Sequence, residues 1–356
     1  MTKRYDVTAL GEVLIDFTEN GSSAQGNPMY EANPGGAPCN VLAMLQKLGH
    51  KTAFLGKVGE DIFGRRLEKV LKETGIDTAG LCTDPAVRTT LAFVEKKADG
   101  DRDFSFYRNP GADMMLRAEE LREQILKDTR IFHFGTLSMT DEPVRSATRH
   151  AIETAKANGA LLSFDPNIRE PLWQSMEEAK RQTAYGMEVC DVLKISDNEI
   201  RWFTGEEDFD RGVDKLWREY HIPLILLSMG TGGSRVYCSS RRTEQPAFIQ
   251  AGTIETTGAG DTFGACCLHY ILEHGVAGLG TTELEEMAQL VAKIRKDFNL
   301  SIIMIEHHMN FVMPIADRIK VVDFGKTISE GTPDVVQKDP KVIEAYLGGG
   351  YQNVNA

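Results

Sequence analysis

The sequence predicts an α/β fold, a mostly parallel central sheet covered by helices on both faces, with a small β lid. Three observations predict it. Short apolar runs alternate with helical patterns from the N-terminus to Gly230, one segment alternates with period two around a polar turn, and a glycine-rich turn opens a late helix. Regular alternation of strand and helix builds parallel sheets, and ligands of such sheets bind at the strands' C-terminal ends.

In chain order, "VTALGEVLI" reads as a strand and "APCNVLAMLQKLG" as the helix after it, with Pro38 placed where a first turn accepts proline. "TTLAFVEKKADGDRDFSFYR" is two alternating runs around an Asp-Gly turn, a hairpin signature. Beside a parallel sheet it is either a lid that excludes water from a small substrate or an edge hairpin without that role. Phe104, Phe106 and Arg108 alternate with other residues and so share a face, as lid packing or, for Arg108, as a candidate substrate contact. "TRIFHFGTLSM" and "VRSATRHAIETAKANG" repeat the strand-helix unit, as do "ALLSFDP" and a helix over 177–188; "DVLKIS" and "PLILLSMG" are further strands.

The chemistry concentrates in "ETTGAGDTFGACC", residues 255–267. A run "PAFIQAGTIE" precedes the turn and the small-then-apolar "TFGACCLHYIL" follows it, so the turn sits at a helix N-terminus. Gly258 and Gly260 let backbone approach a ligand, and the unpaired first N–H groups and the helix dipole favour an anion there. Asp261 would repel that anion, which makes it an odd choice for a phosphate cradle alone. It suits a base that accepts the proton of a hydroxyl attacking a γ-phosphoryl group, while the amides of Gly258, Ala259 and Gly260 stabilise charge on the transferred group. The alternative is a tight turn followed by an acid chosen for the dipole. Asp16 closes the first apolar run, at a strand's exit, where a carboxylate can accept hydrogen bonds from a ligand's hydroxyls. Asp165, Asn167 and Arg169 in "FDPNIRE" lie just beyond a buried strand and can read hydroxyls or neutralise phosphate; Arg169 could equally be a surface arginine.

Composition narrows the partners. The 356 residues carry 52 acidic against 40 basic side chains, a formal net charge of -12, so a nucleic-acid partner would meet net repulsion. Six cysteines form no C-x-x-C pair, which suits reduced thiols and a cytoplasmic protein. No apolar stretch is long enough to span a bilayer, and no export segment is expected.

"PGGAPCNVLAMLQKLG", "KVGEDIFG" and "TTGAGDTFGA", supported by "RDFSFYRNPGADMML", "FDPNIRE" and "LKISDNEIRWFTG", resemble the ribokinase-like (PfkB) sugar kinases, most closely bacterial fructokinases, over residues 1–286. The resemblance implies ATP-dependent phosphorylation of a sugar hydroxyl, with D-fructose the expected substrate and ATP and Mg2+ as cofactors. It implies that Asp261 is the catalytic base and Gly258, Ala259 and Gly260 the anion hole. On the sugar side it places Asp16, Gly35, Gly36, Asn40, Asp165, Asn167 and Arg169, with Phe104 and Arg108 from the lid. On the nucleotide side it places Lys194, Glu199, Ser228, Gly230, Gly233 and Thr257, with Glu199 holding magnesium through a water. Lid strands within 14–33 and 88–108, and a homodimer formed through the lid, also follow from it.

After "ELEEM" the pattern breaks. "AQLVAKIRKDFNLSIIMIEHHMNFVMPIADRIKVVDFGKTISEGTPDVVQKDPKVIEAYLGGG" resembles the last segment of an ABC transporter ATPase of the branched-chain amino-acid type, over residues 287–356. A helix from Thr282 to Asp297 bridges the join, with Ala292, Lys293, Ile294 and Arg295 where sugar kinases keep small residues against adenine. The loop that supplies the family's monovalent-cation site is missing. His307 matches the ATPase switch histidine, yet "GKT" has Lys320 where a phosphate-binding loop needs its first glycine, and neither the Leu-Ser-Gly-Gly signature nor a strand ending in Asp-Glu is present. The reading is a fusion of a sugar kinase with an ATPase fragment. A catalytically impaired sugar-binding fold is the alternative, and a transporter ATP-binding subunit a more distant one.

Overall fold

A computed structural model describes residues 3–96, 102–238, 241–247, 258–274, 312–313, 315–323 and 326–342. The chain divides into two compact units, Met1–Gly275 and Val276–Ala356. The boundary expected at 286/287, the 282–297 helix, His307 and the run before Thr257 lie outside the described residues.

Among the described residues the central sheet of the first unit has nine strands: β1 (Tyr5–Leu10), β4 (Thr52–Gly59), β5 (Asp77–Asp84), β8 (Thr129–Gly135), β9 (Leu161–Asp165), β10 (Val192–Ser196), β11 (Leu224–Ser228), β12 (Ser234–Cys238) and β13 (Arg241–Gln245). Their spatial order is β13-β12-β11-β10-β9-β8-β1-β4-β5. All pairings from β5 to β11 are parallel, and the β11-β12-β13 edge is antiparallel. Parallel strands buried on both faces read as continuous apolar runs. Phe132, Phe134 and Phe164 accordingly form a stacked ladder at the sheet's centre, with ring centroids 6.0 and 4.9 Å apart.

Helices α1 (Ala37–Lys47), α2 (Ile62–Thr74), α3 (Glu123–Lys127), α4 (Val144–Ala157), α5 (Met176–Val189), α6 (Asp197–Thr204), α7 (Phe209–Tyr220) and α8 (Ala259–His274) complete the unit. Their starts follow from local chemistry: Asp61, Ser175, Ser196 and Asp208 accept hydrogen bonds from backbone N–H groups of the first turns they cap. α1 packs on α8, which brings the two glycine-preceded helix N-termini together.

A separate four-stranded sheet holds the strands expected to form the lid, in the order β3-β2-β6-β7, from β2 (Leu14–Ser22), β3 (Pro28–Gly35), β6 (Leu91–Lys96) and β7 (Arg102–Tyr107). The hairpin read from residues 89–108 is present, Leu91 pairing with Tyr107. The first apolar run is not one strand, however. The chain leaves β1 at Leu10 and re-enters a strand at Leu14 in the lid, so Asp16 faces Asn33 across the β2-β3 ladder and does not close a strand of the central sheet. Hydropathy cannot register this bend, because both strands are apolar where they meet: Leu10, Val13, Leu14 and Ile15 are all buried.

Of the second unit the structure describes an antiparallel hairpin, β14 (Ile319–Asp323) with β15 (Lys326–Gly331), and a short helix α9 (Pro333–Val336). Ile319, Val336 and Val342 close a small apolar cluster there. Lys326 and Thr327 of the "GKT" are ladder residues in β15, the opposite of the strand-to-helix turn that a phosphate loop requires.

Candidate active site

The site begins at the N-terminus of α8. Gly258 takes φ +76°, a left-handed turn, and the Thr262 N–H donates to its carbonyl at 2.8 Å, starting the helix. Asp261 lies in the first turn. The Asn40 side-chain amide of α1 donates to Asp261 Oδ2 at 2.8 Å, joining residues 221 positions apart. α1 itself starts where it does because Gly36 adopts φ +118° and brings Ala37 N–H to Glu12 Oε1 at 2.9 Å. A Cβ on Gly36 would strike the Glu12 carbonyl, and Gly35 leaves room that the Asp16 carboxylate fills.

Beneath Asp261 lies a buried ionic cluster. Lys194 of β10 pairs with Asp165, the last residue of β9, at 3.0 Å, and its Nζ lies where a Cβ on Gly260 would approach it at 3.1 Å. Glu199 accepts from the Ile168 N–H at 2.9 Å with one oxygen and from the Ser196 N–H and hydroxyl at 2.9 and 2.7 Å with the other. It therefore closes a capping box on α6 and also clamps the loop after β9. In that loop Asn167 takes φ +43° and donates its N–H to Asp165 Oδ1 at 3.2 Å, while the charge of Arg169 acts on both Asp16 and Asp261. Ser228 ends β11 opposite Ser196, and Gly230 and Gly233 follow in a short turn.

Arg108 requires a correction. It stands one residue beyond β7 and is buried, with Nε and Nη2 on Asp113 at 2.8 and 2.7 Å, Nη1 on Thr140 Oγ1 at 3.0 Å and Nη2 also on the Leu137 carbonyl at 2.9 Å. A buried guanidinium needs such partners, so Arg108 is turned inward onto Asp113, Thr140 and Leu137 and does not share an exposed face with Phe106. The side chain of Phe104, and all of Thr257 just before the Gly258 turn, lie outside the described residues.

A family model described as pfkB family carbohydrate kinase matches residues 5–295. The chain belongs to that family. A second model, described as Branched-chain amino acid ATP-binding cassette transporter, matches residues 326–352. Among relatives, "Probable fructokinase-2" of Arabidopsis thaliana is 42% identical over 270 residues, covering 75% of this chain and 82% of its own. Among solved structures, the fructokinase of Xylella fastidiosa with bound ATP matches with a TM-score of 0.68 at 31% identity, over 76% of this chain and 82% of its own. A fructokinase of Vibrio cholerae O395 in its fructose, ADP and calcium ion bound form matches with a TM-score of 0.68 at 29% identity, over 77% and 85%.

In this carbohydrate kinase the site's acids are shifted together. Burial raises the Asp261 carboxyl above the usual range, opposed by the Asn40 hydrogen bond and by the charges of Lys194 and Arg169. Burial also raises Asp16 to about 6, against Arg169, and raises Asp165 to about 7, where Glu199 and Asp261 add to the effect and Lys194 opposes it. Burial alone would lower the Lys194 ammonium, but Asp165, Glu199 and Asp261 more than offset it, so the lysine stays charged. His133, beside Ser163 at 3.0 Å, is pushed down to about 4 by burial and Lys194 and is neutral.

Glu12 and His133 line a small cleft with Asp165 and Asn167, and neither stood out from hydropathy or motif. The available signal was a polar residue inside an apolar run, in "VTALGEVLI" and "TRIFHFG". Burial raises Glu12 to about 7. A carboxyl raised on folding stabilises fully below its unfolded pKa, and that stability is lost as pH rises through the folded value. Glu12→Gln keeps an acceptor for the Ala37 N–H and cannot ionise. It is expected to match the wild type at pH 5 and to exceed it by on the order of 2 kcal/mol at pH 8, measured by urea denaturation. Identical pH profiles for the two proteins would rule out Glu12 as the source.

Proposed function

We propose that the protein phosphorylates D-fructose with ATP. The observation that carries the reading is the Asn40–Asp261 hydrogen bond, which sets a carboxylate at a helix N-terminus beside the di-glycine turn. Asp261 accepts the proton of the attacking hydroxyl. Its raised pKa makes it a stronger base than an ordinary aspartate, and Asn40 fixes its orientation. The amides of Gly258, Ala259 and Gly260, with the Lys194 ammonium behind them, stabilise charge on the transferred phosphoryl group. Asp16, Gly35, Gly36, Asn40, Asp165, Asn167 and Arg169 orient the sugar; Ser228, Gly230, Gly233 and Thr257 belong to the nucleotide side.

Three carboxylates, Asp165, Glu199 and Asp261, act on one lysine, a surplus of hard oxygen donors that suits Mg2+. Glu199 would hold it through a water, since both its oxygens already accept backbone hydrogen bonds. The ion, when bound, supplies charge neutralisation on the phosphates.

Phe17, Tyr30, Phe93 and Tyr107 form an aromatic cluster on the lid, and Met29, Tyr30 and Tyr107 are exposed, which fits a homodimer formed through this sheet. A second reading, a sugar-binding fold with an impaired adenine pocket, is favoured by the family match ending at residue 295 and a transporter family's match following at 326–352.

ADP release with MgATP separates these readings. Fructose-dependent release, with kcat/KM at least ~10-fold above that for ribose, is expected, from protein whose light-scattering mass is a dimer's. Release equal with and without sugar would overturn the kinase reading, and a monomer's mass the lid contact. Replacing the residues after Met287 with a fructokinase ending is expected to lower the KM for ATP by about 10-fold, the effect of ~1.4 kcal/mol of restored contact. An unchanged KM would show that the natural ending already completes the pocket.

A further inference from the structure

A second cluster of chemically capable side chains lies toward the other end of α8. His269 and Glu273 are four residues apart and share a helix face. His50, in the turn between α1 and β4, meets them. Its Nε2 lies 2.6 Å from His269 Nδ1, and one ligand atom from each of His50, His269 and Glu273 lies within 4.8 Å of the other two. At that separation the two facing nitrogens cannot both carry hydrogens, so at least one lone pair is already turned inward. On the far side of the same ring, His50 Nδ1 lies 3.7 Å from Asp6 Oδ2, and Asp6 is held by the Lys51 N–H at 3.0 Å and Arg130 at 3.1 Å. A carboxylate behind an imidazole favours hydrogen on the near nitrogen and leaves the far one as a ligand, the arrangement found behind metal-bound histidines. The C-terminal end of a helix also favours positive charge.

We propose that His50, His269 and Glu273 form a binding site for a divalent transition metal, with zinc as its natural class. Two imidazoles and one carboxylate match zinc's preference for nitrogen and oxygen donors, with water as the fourth ligand. The ring nitrogens, now 2.6 Å apart, need to open to about 3.3 Å, which side-chain rotation supplies. The site stands two helical turns from Asp261, about 12 Å along α8. Metal there ties the helix that carries the catalytic aspartate to the turn that starts β4, and stabilises the folded chain by its binding free energy.

The test uses the full chain, stripped with chelator and titrated with ZnCl2. One zinc per chain is expected, with a rise in Tm that equimolar MgCl2 does not reproduce and with imidazole scattering in the zinc X-ray absorption edge. His269→Ala is expected to weaken zinc binding at least ~100-fold and Glu273→Gln at least ~10-fold. Glu273 is exposed, so its variant folds even if a histidine variant does not. The site would be overturned by the absence of stoichiometric zinc, by zinc affinity unchanged in either variant, or by sulfur scattering that assigns the metal to Cys266 and Cys267.

Discussion

Asp261→Asn is expected to lower kcat for sugar phosphorylation by about 10²–10⁴-fold, the usual contribution of a positioned general base. Asparagine retains an oxygen for the Asn40 amide, so the turn and the sugar site keep their shape. The KM for fructose should therefore stay within about threefold, separating loss of a base from loss of a binding group. In the wild type the acid limb of kcat/KM should fall above the ordinary aspartate range, because burial raises this carboxyl. Steady-state rates across pH decide the matter: a kcat within about tenfold of wild type would mean that another group takes the proton.

The largest expected effect on stability comes from Lys194→Met. The lysine is buried in β10 and is paired with the equally buried Asp165. Removing one partner of such a pair leaves an uncompensated buried charge and costs about 3–5 kcal/mol. The cost should be greatest above pH 7 and smaller below it, since Asp165, already raised to about 7, can then take a proton. Lys194→Met combined with Asp165→Asn should recover much of the loss, and the cycle of urea unfolding free energies isolates the pair. If the single substitution costs less than about 1 kcal/mol, the pair does not support the fold as described.

Much of this architecture is legible in the chain itself. Apolar runs buried on both faces announce parallel strands, and β8, β9, β10 and β11 fall where those runs do. The helix after Gly36 and the turn at Gly258 are readable because each needs a backbone that only glycine adopts easily. What escapes reading depends on partners distant in the chain. Asp16 belongs to the lid because the chain bends between two strands that are both apolar. Arg108 faces inward because Asp113, Thr140 and Leu137 wait for it there, and strand alternation stops one residue earlier. The resemblance places Lys194 near the nucleotide, but its pairing with Asp165 is not readable in the chain, and the meeting of His50 with His269 spans 219 positions.

The Asn40–Asp261 bond also dictates an order of events during synthesis. At about 5–20 residues per second, α8 leaves the ribosome on the order of 10–50 s after the chain begins. By then β1 has already waited for β8, its partner across more than a hundred residues, and the lid hairpins can have closed. A nascent chain can thus hold Asn40 in place on α1 while Asp261, the acceptor of its amide, is still unmade. The cluster around Asp261 is completed only when α8 docks on α1.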